Sequence, residues 1–444
     1  MSMNENKMGT MKVSKLLINM SLPMVISMLV QSLYNIVDSL FVANIPLIGE
    51  DCMNALTLAM PVQQLIISIS VGIGVAINAV LAKAIGEKNP EKADVVAGNI
   101  ILIGLFFSFI FMLFGVFFSQ LYFETQTSNP DVIRYGTIYL TIIASFSIAK
   151  VFQIIFERVL QATGRTFYTM VTQASGAVLN IGLDYVLIYQ FNMGIKGAAI
   201  ATIIAQIFSM LMAFYFNHHY NHDVNLGLKY LKIDREITKE IFEVAVPAIM
   251  MQALMAFGTL FTNMILIRIS EQTVTAYGIY MKLNSIVFMI VFGINNAMIP
   301  IIGYNYGAKK YERIHQVIRY GLTYSISIFV VGLALFEIFP LQLLGLFNAS
   351  EELIAIGIYC FRITPFVFLF ASISIPLEGA LQSMGGSKQA LIVTVLRLVI
   401  IQLPVAWLLT YTANPQIFVW FSFPISEICG MLYCIYAYKK IVIV

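Results

Sequence analysis

"ERVLQATG" (residues 157–164) returns as "EGALQSMG" (residues 378–385), 221 residues later, with Glu, Leu, Gln and Gly in the same four places. The same offset carries Gly72, Ala76, Gly86 and Lys88 onto Gly293, Ala297, Gly307 and Lys309. Near the start of each half, "SLPMVI" and "AVPAIM" pair Pro23 with Pro247 at an offset of 224. The three extra residues fit a longer first loop. The chain therefore reads as one unit written twice.

Composition says what that unit is made of. Of 444 residues, 59% are hydrophobic and 11% charged, against about 45–50% and about 25% in soluble domains. Such an excess over the whole length marks a polytopic membrane protein. The net charge of +3 is too small to suggest a nucleic-acid partner. Cys52, Cys360, Cys429 and Cys434 show no CxxC spacing and read as small apolar fillers, not as metal ligands or disulfides.

Polar punctuation divides the chain into apolar runs at 16–44, 54–83, 95–123, 132–160, 166–190, 195–217, 240–268, 273–305, 315–345, 353–384, 388–411 and 415–438. Each is long enough to cross a bilayer, which takes about 20 residues. The fold class is thus all-α and integral to the membrane, with twelve transmembrane helices in two six-helix repeats. Six is an even number, so the repeats are parallel, related by an axis along the membrane normal, with a central cavity expected between them. The domains read as an N-terminal lobe at 1–217, a linker at 218–239 and a C-terminal lobe at 240–444. Lys7, Lys12 and Lys15 precede a first run long enough to span, so that run is taken as an uncleaved span.

Basic residues set the expected orientation. Of the 26 Lys and Arg, nineteen lie in the even-numbered connections and the termini. Arg134, Lys196 and Arg268 alone lie in the odd connections, and Lys150, Lys282, Arg362 and Arg397 lie inside spans. By the positive-inside rule, both termini and the 218–239 linker face the cytoplasm. His218 and His222 in that linker have the i, i+4 spacing of metal ligands, but no third ligand accompanies them, and a solvated linker is the better reading.

Carboxylates inside these spans are expensive and so point to function. "LYNIVDSLFV" (33–42) holds Asp38, on a polar stripe with Ser27, Gln31, Tyr34 and Asn35. The fifth run carries Thr169, Gln173, Asn180 and Asp184, and the sixth Thr202 and Gln206. Asp38, Asp184 and Thr202 each sit six or seven residues from an outer helix end, about 9–10 Å deep at 1.5 Å per residue, and Asn180 is one turn deeper. No basic residue of the first half shares that level, since Lys150 lies about ten residues from the cytoplasmic end of its run. Asp38 and Asp184 must therefore hold protons, bind a mobile cation or sit in water. Pro23, on the same helix as Asp38, is the proline expected to couple a charge change to bending. The position that answers Asp38 in the second half is Thr262, so the cation site belongs to the first half. Glu157 and Glu378 are expected to ion-pair with Arg158, Arg165 and Lys388. Lys282, Arg362, Arg397 and Glu427 are expected to pair among themselves or to line a cavity.

Several stretches together resemble the multidrug and toxic compound extrusion (MATE) transporters, over essentially the full length. They are "LYNIVDSLFV", "IGEDCMNALTLAMP", "LQATGR", "NIGLDYVLIY", "GIKGAAIATIIAQ" and the echo "ALQSMGGSKQ". Asp38, Asn180, Asp184 and Thr202 match the first-lobe cation-site pattern of the DinF-like branch. The resemblance implies two six-helix lobes, a V-shaped cavity, and antiport of amphipathic organic cations against H+ or Na+ by alternating access. It also implies a multi-pass protein of the bacterial cytoplasmic membrane, acting as a monomer on small organic molecules, with no cofactor beyond the coupling ion and no metal beyond Na+ at those four residues. The family's usual "VDT" is Val37-Asp38-Ser39 here, and the glycine that follows is replaced by Ala43-Asn44. A flippase of lipid-linked oligosaccharide precursors is the alternative within the same superfamily. A membrane enzyme would need a concentrated motif such as GxSxG or HExxH, and the sequence contains neither.

Overall fold

A computed structural model describes residues 6–46, 48–347 and 349–442, all helices and connecting turns with no strand among them. In a bilayer every backbone polar group needs an internal partner, and helices supply it. With the bent fourth helix counted as one span, twelve helices among the described residues are long and apolar enough to cross. They are α1 (Val13–Ala43), α2 (Gly49–Gly86), α3 (Pro90–Phe117), α4 (Pro130–Ser145 with Ser147–Ala162), α5 (Thr166–Gln190), α6 (Gly194–Tyr220), α7 (Arg235–Leu266), α8 (Glu271–Gly307), α9 (Tyr311–Ile338), α10 (Glu351–Ser383), α11 (Ser387–Leu409) and α12 (Pro415–Ile441).

The repeat is written into the backbone as well as the sequence. Gly164 and Gly385 both adopt left-handed conformations, at φ 81° and 85°, and so do Lys88 and Lys309, both at φ 56°. The two glycines explain the repeated LQ··G motif. Each follows a helix end where the Leu carbonyl accepts a long-range amide, from Arg165 onto Leu160 and from Gly386 onto Leu381, both at 2.7 Å. Only a residue without Cβ adopts that conformation at little cost. The N-terminus of the fourth helix is capped at equivalent places too. Asn129 accepts from the amides of Asp131 and Val132, and Ser350 from that of Leu353, as N-cap side chains do.

Two breaks are invisible to hydropathy. The runs 95–123 and 315–345 do not continue as single helices. Each turns at a phenylalanine, Phe118 or Phe339, into a short helix, Ser119–Gln126 or Pro340–Gly345. The apolar character continues across the turn, so composition alone does not register it. The fourth span bends by 44° between Ser145 and Ser147. Its counterpart α10 passes through a 3-10 turn at Thr364–Phe366, where Pro365 removes a backbone donor.

Contacts divide the chain into two units. The first comprises Met1–Thr10 with Ile26–Ala245, the second Met11–Val25 with Val246–Val444. The changes of unit on α1 and α7 fall two residues after Pro23 and one before Pro247. In the first unit the linker is shorter than 218–239, because α6 runs to Tyr220 and α7 starts at Arg235. It is also well anchored. Asn99 bonds the Lys232 carbonyl, the Asp234 amide and the Thr238 hydroxyl, and Asp94 accepts from the Asn225 amide. A Cβ on Gly98 would sit 2.0 Å from the Tyr230 carbonyl oxygen, so α3 and the linker meet at a residue that must be small. The second unit packs around an aromatic core that includes Tyr277, Tyr280, Phe329, Phe336, Phe361, Phe368 and Trp420.

Candidate functional site

In the first unit, α5 is α-helical up to Asp184 and then opens into a π-helical segment, Tyr185–Gln190. Such wide turns are uncommon and concentrate at functional sites. Two contacts hold this one. The Tyr189 hydroxyl donates to the Phe41 carbonyl of α1 at 2.8 Å. On α6, Gly197 lets the backbone of Leu187 approach, since a Cβ there would lie 2.9 Å from its carbonyl. Nearer the start of α5, Gly176 admits the Ser209 hydroxyl, which donates to the Thr172 carbonyl at 3.2 Å. Small residues thus bring α5 and α6 together, as they do in membrane bundles generally.

This packing leaves a cluster of buried polar atoms without partners. Asp184 is fully buried and Asn180 nearly so, at 0% and 2% exposure. Asp38 is half-buried. The two carboxyl groups lie within electrostatic reach of each other. No N–H or O–H of a described residue reaches Asp38 Oδ1, either oxygen of Asp184 or the amide oxygen of Asn180, and the Asn180 amide nitrogen finds no acceptor. Buried polar groups are almost always paired, so this cluster is the candidate site for a proton or cation. Two carboxylates side by side with no fixed cation accommodate a shared proton or a bound cation.

Beside the cluster lies a cavity of about 400 Å³, counting its open mouth. It is lined by Gln31 and Tyr34 of α1, Lys150 and Gln153 of α4, Gln173 and Asn180 of α5, and Thr202 and Gln206 of α6. Of the residues singled out in sequence, Asp38 and Asp184 therefore meet, and Gln31, Tyr34, Gln173, Asn180, Thr202 and Gln206 share one cavity. Asn35 is exposed, its carbonyl accepting from the Ser39 hydroxyl. Pro23 lies inside α1 on the stretch grouped with the second unit.

Three further residues are not legible in the sequence. Buried Tyr139 of α4 lies within electrostatic reach of Asp38 and Asp184, with Gln63 of α2 as its hydrogen-bond partner. Nothing distinguishes one tyrosine among the 22 in the chain. Lys150, expected well away from the cation level, lines the same cavity as Asn180 and Thr202. Its four-methylene stem carries the ammonium far from the Cα, which residue counting along a helix axis ignores.

Glu157 corrects another expectation. It is held by neutral donors, not by Arg158 or Arg165: Gln153 at 3.1 Å, Thr172 at 3.1 Å and Gln173 at 2.6 Å. Arg165 pairs instead with Asp223 of the linker. In the second unit, Arg397 Nη1 of α11 donates to both carboxylate oxygens of Glu427 of α12, at 3.1 and 3.2 Å, as the sequence suggested. Ser374 donates to the same carboxylate at 2.6 Å. Lys282 lies over the ring of Phe347, and Glu337 is within reach of Arg362.

The MatE family model matches this chain twice, over residues 23–186 and 247–408. Each match begins at one of the paired prolines. Multidrug export protein MepA of Staphylococcus saprophyticus is 24% identical over 420 residues, covering 94% of this chain and 92% of MepA. An outward-facing multidrug resistance MATE transporter of the MOP superfamily has a TM-score of 0.92 at 22% identity, covering 100% of this chain and 99% of that one. A MATE crystal structure in complex with MaL6 gives 0.91 at 23%, covering 99% of both. At such identity the structural likeness speaks for the fold.

Proposed function

The chain belongs to the MatE family of membrane transporters, and from that premise we propose that it exports amphipathic, cationic organic compounds by alternating access, in exchange for H+ or Na+. The relatives named as multidrug export proteins support export of drug-like molecules. The observation that carries the coupling is the cluster of unpartnered side-chain atoms on Asp38, Asn180 and Asp184. An ionised, empty pair of carboxylates is costly inside the bilayer, whereas a protonated or cation-filled pair is not. Conformations that expose the site to fill it, or enclose it once filled, are therefore favoured over those that enclose it empty. A ligand that binds one state better shifts the population toward that state, and this is how ion movement drives export in the present reading. Thr202, which lines the same cavity as Asn180, adds a neutral oxygen. Pro23 gives α1 a place to bend without breaking further hydrogen bonds.

On this reading the chain works as a monomer in a bacterial cytoplasmic membrane with both termini inside, and uses no cofactor other than the coupling ion. The test is efflux from vesicles containing the purified protein, with a pH gradient and a sodium gradient imposed separately. One of them is expected to drive extrusion of an amphipathic cation such as ethidium. Efflux that follows neither gradient would refute ion coupling.

A further inference from the structure

Glu157 is a buried acid that the coupling of Asp38 and Asp184 leaves unused. Its side chain sits on α4 at 2% exposure. Gln153 and Thr172 meet its Oε1, both at 3.1 Å, and Gln173 donates to Oε2 at 2.6 Å. It forms no ion pair with a described residue. Lys150 and Arg158, on its own helix, are the charged groups within electrostatic reach. Arg158 turns to the Gln161 amide oxygen, at 3.0 Å, and its stem packs on Gly74 of α2. From α5 the carboxyl group meets a hydroxyl and an amide, and α6 brings the Asn217 amide to the neighbouring Phe156 carbonyl. A carboxylate this deep, ionised with neutral partners alone, is costly.

The Thr172 hydroxyl decides what this arrangement can do. It has one proton and two acceptors in reach, the Thr169 carbonyl at 2.8 Å and Glu157 Oε1 at 3.1 Å. With Glu157 ionised, the hydroxyl donates to Oε1. With Glu157 protonated at Oε1, the hydroxyl turns to the Thr169 carbonyl and accepts the acid proton in its place. Gln173 donates to Oε2 in both states. Rotation of one hydroxyl therefore satisfies either state without moving a heavy atom. We propose that Glu157 is a reversible proton-binding site of the first unit, additional to Asp38 and Asp184. Gln153 and Gln173 line the cavity and also bond to Glu157, and no described donor reaches the Gln153 amide oxygen. These two amides connect the acid to the space from which its proton arrives. The offset of 221 puts Val393 where Thr172 stands, and Glu378 has Arg397 in reach, so the device belongs to the first unit alone. The inference goes beyond the exporter reading and holds whether Asp38 and Asp184 take H+ or Na+.

The test is infrared spectroscopy of the purified full-length protein in vesicles, titrated from mildly acidic to mildly alkaline pH. A protonated carboxyl group shows a C=O stretch that an ionised one lacks. Subtracting the Glu157→Gln spectrum from the parental one is expected to leave such a band at the acidic end, lost reversibly toward the alkaline end. The same subtraction on an Asp38→Asn/Asp184→Asn background is expected to leave the same band. Thr172→Val is expected to move it to higher frequency, because the acid proton loses its acceptor, and Thr172→Ser to keep the parental position. Absence of the band throughout the titration means an acid that stays ionised, and overturns the proposal. So does a band that never titrates. Should Glu157→Gln fail to fold, the parental titration is compared with that of Thr172→Val directly, and identical carboxyl bands in the two overturn the proposal. Transport is not measured here, so the exporter reading is judged separately, by vesicle efflux.

Discussion

The first unit leaves its polar cluster open, and the second closes the corresponding one. Thr262 of α7 answers Asp38, by the 224-residue offset of the two prolines. Gln402 of α11 lies one residue beyond the position that answers Asn180 by the 221-residue offset of the repeated motif. In the second unit these residues satisfy each other, the Gln402 amide donating to the Thr262 hydroxyl at 3.3 Å. A neutral hydroxyl and amide form a self-sufficient pair, but two carboxylates and an amide do not. The second unit does carry charge, in Arg397 and Glu427, but as an ion pair with its own serine donor. The carboxylate oxygens there that have no donor, Glu337 Oε1 and Glu378 Oε1, lie within reach of fixed cations, Arg362 and Arg397. Duplication supplied two equivalent frames. Where side chains complete one another the frame is structural, and where they cannot it is available to a mobile ion.

The sharpest way to break this contrast is to neutralise the open site. Asp184→Asn is expected to reduce gradient-driven efflux at least about tenfold, and Asp38→Asn/Asp184→Asn no further than either alone, because residues acting as a unit are non-additive. Efflux rates from vesicles, normalised to inserted protein, check this, and additive losses would show two independent sites. Next, Arg397→Met should destabilise the second unit by about 3–5 kcal/mol, since it strands a buried carboxylate. Adding Glu427→Leu should recover much of that loss. Thermal unfolding in detergent reads both, and no recovery would mean that packing, not pairing, is what the first change removes. Smaller is Gly176→Val, which places carbon 2.0 Å from the Ser209 hydroxyl and costs about 1–3 kcal/mol by overpacking. Because it shifts α5 against α6, its efflux should fall more than that of a surface variant with equal unfolding temperature. Smallest is Thr262→Ala. Loss of one weak hydrogen bond costs about 1 kcal/mol, and efflux should stay within about twofold of the parent, a limit chosen for a bond of that size. A tenfold loss would give the second unit a role in coupling.

Much of this architecture is legible in the residues themselves. The α5 run at 166–190 coincides with the observed helix, because turn residues flank it sharply. The LQ··G echo foretells two equivalent helix ends, because a left-handed cap constrains residue type. Asp38 and Asp184 can be paired by depth because helices rise regularly. What hydropathy does not carry is direction. Phe118 and Phe339 end their helices while remaining as apolar as the interior, and nothing in the sequence around Phe146 announces a 44° bend. The π-helical segment after Asp184 depends on Tyr189 reaching Phe41 and on close approach at Gly197, both of them tertiary contacts. Counting along the helix locates the Cα of Lys150 but not the cavity that its side chain lines. Glu157 suggests ionic partners because Arg158 and Arg165 are near in sequence, although on a helix neighbouring residues point to different faces.

The central claim is that Asp38 works as an ion switch and not as an interhelical hydrogen-bonding group. Asp38→Asn keeps the shape and the hydrogen-bonding capacity but removes the charge that switches. The decisive measurement is efflux from matched vesicles of parent and Asp38→Asn protein under the gradient that drives the parent. The account predicts a folded variant at parental density that no longer extrudes substrate against its gradient. A variant that does so at the parental rate would contradict it.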